Sequence, residues 1–317
     1  MLRGIYSYIS NLNRLVLLIT LVLGFMLFST LFGILLLVPF YGSGILDLLT
    51  SPDYNNPSVV SAMKVLQIMN MAGGLLLPAW VYLWFVTPDD EKLSVFNKPG
   101  PPILVALSIV LVLLAQPLIG LTGEINAMLA LPEWLSFIEE WMKNSEIQGE
   151  LITEAFLATT SVGGLAINIF MIALLPAFAE ELLFRGVLAG LFRRWTNSIH
   201  LAVFISAFIF AAIHLQFYGF LPRFLLGAVF GYLFFWSGSL WLPIAAHLAN
   251  NLLSVVVEFL FRKGIMDTNA ENFGTGNEIW LMIISILGVG VIMYHIFNTS
   301  KTNNKLDSDN NDLTFLD

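Results

Sequence analysis

The sequence contains no cysteine and few charged residues. Without cysteine there is no disulfide framework, thiolate nucleophile or cysteine metal cluster, so any metal would need His and carboxylate ligands. Lys, Arg, Asp and Glu make up 11% of the 317 residues, far below the proportion of about a quarter that is typical of soluble domains. The sequence has no cluster of basic residues that would indicate nucleic acid or anionic lipid headgroups as a partner. The composition therefore argues against a soluble or nucleic-acid-binding protein.

Long apolar runs take the place of the missing charge. Hydrophobic residues account for 57% of the chain, and the mean hydropathy is +0.82. The first run, residues 15–40, has no charged residue and exceeds the roughly 20 residues that cross a bilayer. The sequence therefore predicts an all-α, polytopic membrane helical bundle of about eight transmembrane helices, or seven if the two short ones between 224 and 261 are a single span. The predicted spans are 15–40, 65–86, 102–122, 155–184, 199–220, 224–240, 241–261 and 279–297.

The distribution of basic residues predicts the orientation of the chain. Lys and Arg are more frequent on the side that holds both ends, which favours a multi-pass protein of the cytoplasmic membrane with both termini in the cytoplasm. Residues 131–144, LPEWLSFIEEWMKN, have apolar residues at helical spacing and predict an amphipathic helix on the outer surface. The predicted parts are N-terminal transmembrane helices plus this amphipathic helix, a catalytic helical core, a C-terminal transmembrane helix and a disordered polar tail, which comprise residues 1–153, 154–262, 263–300 and 301–317.

Ionisable residues interrupt the apolar run FAEELLFRGVL at residues 178–188. Each would cost roughly 2.5 to 3.5 kcal/mol at mid-membrane if unpaired, so such groups are rarely accidental. Glu181 and Arg185 are four residues apart, share a helical face and can pair. Glu180 lies about 100° round the helix and lacks that partner, so it is free to act on a ligand or water.

Further polar residues occur on two later apolar runs. His214 ends FAAIH, which begins at Phe210, while His247 and Asn251 share one face of the run that contains HLANN. Each has a bland explanation: a histidine or asparagine can bridge helices, Phe210 can be core, and Arg185 can extend to the membrane surface. The combination on three helices is what indicates a site.

Three kinds of chemistry would use these groups. Glu180 could deprotonate a water held with His214, while His247 and Asn251 donate to an oxyanion, which amounts to amide hydrolysis. Glu180, His214 and His247 could instead ligate zinc, although no HExxH motif is present. A transporter could use the same groups to carry protons or ions, but we find no inverted repeat and predict no broken helix, apart from a kink at Pro176.

The three motifs together resemble those of a known family. EELLFR, FAAIH and HLANN resemble EExxxR, FxxxH and HxxxN of the CAAX-protease and bacteriocin-processing family of intramembrane endopeptidases, which includes the type II CAAX prenyl endopeptidases. The resemblance implies an eight-helix peptidase with a site open toward the cytoplasmic side. It assigns Glu180 as the base that activates water with His214, and His247 and Asn251 as the oxyanion donors.

The resemblance also gives supporting roles to Glu181, Arg185 and Phe210, and it implies a membrane-associated protein or peptide as substrate. It leaves the cofactor open, because the family includes members labelled metalloproteases and members for which a metal-free glutamate mechanism is argued. We therefore expect an intramembrane endopeptidase with either zinc or no cofactor. The alternatives are a catalytically idle scaffold or bacteriocin-immunity protein and, after that, an ion or proton-coupled transporter.

Overall fold

The computed structural model describes residues 3–88, 100–129, 131–270, 273 and 279–310. Within those ranges the secondary structure is helical, with no strand. This confirms the predicted all-α bundle. In chain order the main helices are α1 (Asn11–Tyr41), α2 (Pro57–Val86), α3 (Pro102–Leu114), α4 (Gln116–Ala127), α5 (Ser136–Leu157), α6 (Val162–Thr196), α7 (Ile199–Ala212), α8 (Phe220–Ser237), α9 (Trp241–Arg262) and α10 (Ile279–Asn310).

The number of candidate membrane spans is close to the predicted number. Among the described residues, six helices are long and apolar enough to cross a membrane, and α3 with α4 forms a seventh if that bent pair is one span. The shorter apolar helix α7 would complete a set of eight. The structure therefore agrees with a polytopic bundle of about eight helices, while the orientation in the membrane stays a prediction.

Several predicted boundaries are wrong. The fourth span begins at Val162 rather than at residue 155 and continues to Thr196. The reason is that the amphipathic helix α5 runs on to Leu157, and a short non-helical segment, residues 158–161, separates the two helices. The proposed division between residues 153 and 154 thus falls inside α5. At the other end of the chain, α10 continues to Asn310, because residues 301–310 include no proline or glycine to stop it. Residues 311–317 of the predicted tail lie outside the described residues.

Two of the spans contain a wide, π-helical turn just before a proline. In α2 a π-helical segment, Ala72–Leu76, precedes Pro78, and in α6 the segment Ile169–Leu174 precedes Pro176. A proline has no N–H for the carbonyl four residues earlier, and its ring crowds that carbonyl, so the preceding turn widens. The kink expected at Pro176 therefore takes the form of a wide turn just before the acidic residues of α6.

The third span is broken, a feature that was not predicted from the sequence. Helices α3 and α4 meet at Ala115 with a bend of 46°. Pro117 lies in the first turn of α4, where it cannot donate to the carbonyl of Leu113, and this loss accounts for the break. The break lies beside α9, because α9 packs along α3.

Candidate active site

Glu181 lies at the centre of the buried polar cluster. Its side chain is fully buried, and its Oε1 atom accepts from Arg185 Nη1 at 2.9 Å and from His247 Nδ1 at 2.7 Å. The first contact is the predicted pair along α6. The second joins α6 to α9 and was not predicted. Because Nδ1 of His247 donates to this carboxylate, Nε2 is the ring nitrogen that faces the rest of the site.

Arg185 is a buried structural cation rather than a surface anchor. Its side chain is 1% exposed, which rules out the explanation that it extends to the membrane surface. Nη2 donates to the carbonyl of Gly227 on α8 at 3.0 Å. The guanidinium carbon lies 4.8 Å from the ring centroid of Phe210 and 5.4 Å from that of Phe230. Arg185 therefore ties α6 to α7 and α8 and turns its charge toward two aromatic faces.

Glu180 lies on the other side of the same imidazole. It is buried, and its Oε2 atom is 3.7 Å from Nε2 of His247. That separation is longer than a direct hydrogen bond, yet one water about 2.8 Å from each atom would contact both. The adjacent glutamates therefore have different surroundings: Glu181 is paired with a cation and an imidazole, whereas Glu180 has its oxygen open to a small ligand.

His214 does not lie within the fifth span, as expected, but just after it. Helix α7 ends at Ala212 because Leu215 adopts a left-handed backbone with φ of 54°. His214 Nδ1 then donates to the carbonyl of Phe210 at 2.6 Å, replacing a backbone donor lost at the helix end. This bond assigns the proton to Nδ1 and leaves the Nε2 lone pair as the acceptor. His214 is within electrostatic interaction range of Glu180 and His247.

Phe210 packs between the polar groups of the site. Its ring centroid lies 4.9 Å from that of His214 and 6.2 Å from that of His247, both edge-on. The buried ring also contacts Phe184 at 5.2 Å. Phe210 is thus both core and a wall of the site, and it contacts both imidazoles.

Asn251 completes the cluster from α9, one turn beyond His247. Its Nδ2 donates to the carbonyl of Ile172 at 3.0 Å. Ile172 lies four residues before Pro176, which has no N–H to give it. Asn251 therefore supplies the donor that the proline removes, and in this respect it does bridge helices.

Two functional candidates were missing from the sequence analysis. Gln116, at the break between α3 and α4, donates to Asn250 of α9 at 3.3 Å. Neither Gln116 nor Asn250 was among the predicted site residues. The available signal was Gln116-Pro117 within a predicted span, since a proline there indicates a break and a polar neighbour can fill it.

The donor set does not form a metal site. Among the described residues there is no group of three or more His, Asp or Glu side chains that could hold a metal ion. Glu180 and His247 approach each other, but His214 does not join them in a common ligand arrangement. The predicted zinc ligands Glu180, His214 and His247 thus do not fit as a set, and no step of the mechanism is assigned to a metal.

The fold and the site together define a class: a polytopic membrane protein in which carboxylates and imidazoles meet inside the bundle. Residues 162–253 match the family model described as type II CAAX prenyl endopeptidase Rce1-like. This match confirms the resemblance to the CAAX-protease and bacteriocin-processing family, and it supports a CAAX-type intramembrane protease function in general terms. The matched range, residues 162–253, contains all of the predicted site residues.

A relative and the solved structures add less. The uncharacterized protein YpbD of Bacillus subtilis strain 168 is 36% identical over 84 residues, which are 25% of this chain and 40% of that protein. The chain thus matches less than half the length of this relative. No solved structure matches the chain.

Proposed function

We propose that this protein is an intramembrane endopeptidase that hydrolyses a peptide bond of a membrane-associated protein or peptide with a water molecule activated by Glu180 and His214. The observation that carries the proposal is the 3.7 Å separation of Glu180 Oε2 and His247 Nε2 within a buried site. A carboxylate that is open on one side and next to an imidazole is the arrangement a general base needs.

The proposed reaction begins with a water molecule that Glu180 holds beside His247 Nε2 and that His214 orients. His214 Nε2 accepts one hydrogen bond from the water, and Glu180 removes the other proton as the water oxygen attacks the peptide carbonyl carbon. The carbonyl becomes an oxyanion. Glu180 then passes its proton to the leaving nitrogen, the C–N bond breaks, and the products are a carboxylic acid and an amine.

His247 and Asn251 would stabilise the oxyanion. When His247 carries its second proton, Nε2–H can donate to the oxyanion, and the carboxylate of Glu181 on Nδ1 balances the charge. Asn251 offers an amide N–H from the same face of α9. Arg185 keeps Glu181 in place and does not touch the substrate.

The geometry also limits the substrate. A peptide inside an intact helix has its carbonyls bonded internally, so the scissile segment must be extended when it enters the bundle. We therefore expect cleavage near a terminus or at an unwound part of a membrane-associated chain.

The test is a comparison of membrane peptides from cells that produce wild-type protein, Glu180→Gln or Glu258→Gln. Glu258 is the matched control, because it is a buried glutamate of α9 whose carboxylate pairs with Arg262, outside the cluster. We expect uncleaved peptides to accumulate with Glu180→Gln and not with Glu258→Gln. Identical peptides with all three proteins, at equal expression, would reject the protease and favour the idle scaffold.

A transporter is the second candidate, and the bend between α3 and α4 favours it, because broken helices often line transport pathways. The discriminating measurement is proton or ion flux in proteoliposomes. Flux that is lost with Glu180→Gln, in the absence of peptide cleavage, would support the transporter.

A further inference from the structure

We propose that Gln116 and Asn250 are positioning residues for this hydrolysis, because they fix the side-chain amide of Asn251 with an N–H group toward the site. The inference rests on the proposed function and assigns it two new residues. Neither would touch the substrate. Both would act through Asn251.

The three side chains form a continuous chain of amide hydrogen bonds. Gln116 Nε2 donates to the carbonyl of Val112 at 3.0 Å and to Asn250 Oδ1 at 3.3 Å. Asn250 Nδ2 donates to Asn251 Oδ1 at 3.2 Å, and Asn251 Nδ2 donates to the carbonyl of Ile172 at 3.0 Å. The chain crosses from the broken third span, through α9, to the wide turn of α6.

Backbone carbonyls at both ends fix the direction of this chain. The oxygen and nitrogen of a side-chain amide exchange places when the group rotates by about 180°, so a lone asparagine could present either. A carbonyl can only accept. Val112 therefore requires the NH2 group of Gln116, and Ile172 requires that of Asn251. With both ends set, Asn250 must present its oxygen to Gln116 and its NH2 to Asn251.

The fixed direction determines what Asn251 can offer a substrate. Its oxygen is occupied by Asn250 and one N–H by Ile172, while its second N–H has no recorded partner among the described residues. That N–H can stabilise an oxyanion, whereas a rotated amide would present an oxygen and repel it. The direction of the amide is thus a catalytic requirement. The Ile172 carbonyl sets it, and Gln116, through Asn250, holds the amide oxygen of Asn251 in that direction.

Two local irregularities make the chain possible. The break at Ala115 brings the Gln116 amide between α3 and α9, where a straight helix would have continued past it. Pro176 leaves the Ile172 carbonyl in need of a donor. A proline therefore creates the Ile172 end of the chain, the Gln116 end lies at the break beside Pro117, and each end is fixed by backbone rather than by a mobile side chain.

The test uses Gln116→Met, which keeps the length of the side chain and removes the amide. Ser108→Ala is the matched control, since the Ser108 hydroxyl also links α3 to α9, through the carbonyl of Leu242 at 3.1 Å, but lies outside the chain. Purified proteins in lipid vesicles would cleave a quenched fluorescent peptide that carries a cleavage sequence found in the peptide comparison. We expect Gln116→Met to lower kcat by about tenfold or more with KM nearly unchanged, and Ser108→Ala to change kcat by less than about twofold.

A double mutant separates positioning from a general structural effect. In an Asn251→Ala background, Gln116→Met should cause no further loss of kcat, because its effect passes through Asn251. Asn250→Leu breaks the next link and should behave as Gln116→Met does, which keeps the test valid if Gln116→Met folds poorly. Thermal unfolding of each variant identifies such a case.

Two results would overturn the inference alone. These are equal kcat losses for Gln116→Met and Ser108→Ala, or a Gln116→Met loss that persists in full without Asn251. If the wild-type protein shows no cleavage that depends on Glu180, the proposed function fails and this inference fails with it. The wild-type and Glu180→Gln measurements come first, so the two failures are distinguishable.

Discussion

His247 Nδ1 lies 2.7 Å from Glu181 Oε1, so an imidazole of α9 and a carboxylate of α6 are joined inside the bundle. The same oxygen also receives Arg185. A single buried atom therefore holds together the cation of the site and one of its imidazoles. We therefore expect Glu181 to contribute mainly to the stability of the fold and Glu180 mainly to the reaction.

Glu181→Gln should strongly destabilise the protein. Neutralising Glu181 leaves the fully buried Arg185 without a compensating charge, and breaking a buried pair costs about 3 to 5 kcal/mol in the free energy of unfolding. Glu180→Gln should change stability much less, because among the described residues Glu180 pairs with no Lys or Arg and only approaches His247 at 3.7 Å. Denaturation of both variants in detergent micelles measures the difference. Equal destabilisation would contradict the separate roles.

Arg185→Lys should also destabilise, although the charge is kept. A lysine cannot donate through a planar fork to Glu181 and to the carbonyl of Gly227, so a buried acceptor is lost at a cost of about 1 to 3 kcal/mol. The control is Arg262→Lys, whose pair with Glu258 is partly exposed and should contribute at most about 1 kcal/mol. The unfolding midpoints would be compared side by side.

Gly231→Ala should loosen the packing of α7 on α8. A Cβ atom at this position would lie 3.0 and 3.1 Å from the two methyl groups of Val203, and such overpacking costs about 1 to 3 kcal/mol. Gly24→Ala on α1 is the control, because its Cβ would meet nothing within 4 Å. The control should be neutral or stabilise by about 0.5 to 1 kcal/mol. Similar changes in stability for both variants would show that packing against Val203 does not decide the outcome.

Lys64→Met should release the end of α5. The ammonium of Lys64 donates to the carbonyl of Phe156 at 2.7 Å and to Asn168 Oδ1 at 2.8 Å, so it holds α5 against the start of α6. Hydrogen exchange followed by mass spectrometry should show faster exchange in the last turns of α5. Lys143→Met, which removes only the exposed pair with Glu139, should leave that exchange unchanged.

The orientation of the chain can be tested without altering other residues, because it contains no cysteine. Tyr8 is 89% exposed and Glu140 is also exposed, so Tyr8→Cys and Glu140→Cys provide single labels. A membrane-impermeant maleimide should label Glu140→Cys in intact cells and Tyr8→Cys only after permeabilisation. The reverse pattern would refute cytoplasmic termini.

Helical periodicity was sufficient to predict the part of the site that lies within one helix. The pairing of Glu181 with Arg185 follows from their four-residue spacing, and the distance of 2.9 Å confirms it. The all-helical class likewise follows from apolar composition alone. Both features depend on local geometry, which is the same wherever the helix lies in the bundle.

Contacts between helices could not be predicted from the sequence in the same way. The bond from His247 to Glu181 depends on how α9 faces α6, and the bond from Asn251 to Ile172 depends on a carbonyl that Pro176 leaves free. The end of α7 depends on the left-handed backbone of Leu215, a leucine that gives no such signal. Each of these features depends on where a helix breaks or on which helix lies next to it, and a hydropathy pattern contains neither kind of information.

The wide turn at Ile169–Leu174 makes the spacing of the chain significant. A π turn holds an additional residue within one turn compared with an α turn, so deleting one residue there would restore regular helix and leave Asn168 in nearly the same direction relative to Glu180. Deleting one residue from the regular segment between Leu175 and Glu180 would instead rotate the preceding part of α6 by about 100° and turn Asn168 away from Lys64. A homologue that is one residue shorter at the wide turn can therefore keep the same arrangement, and alignments of such chains should place a single-residue gap within Ile169–Leu174.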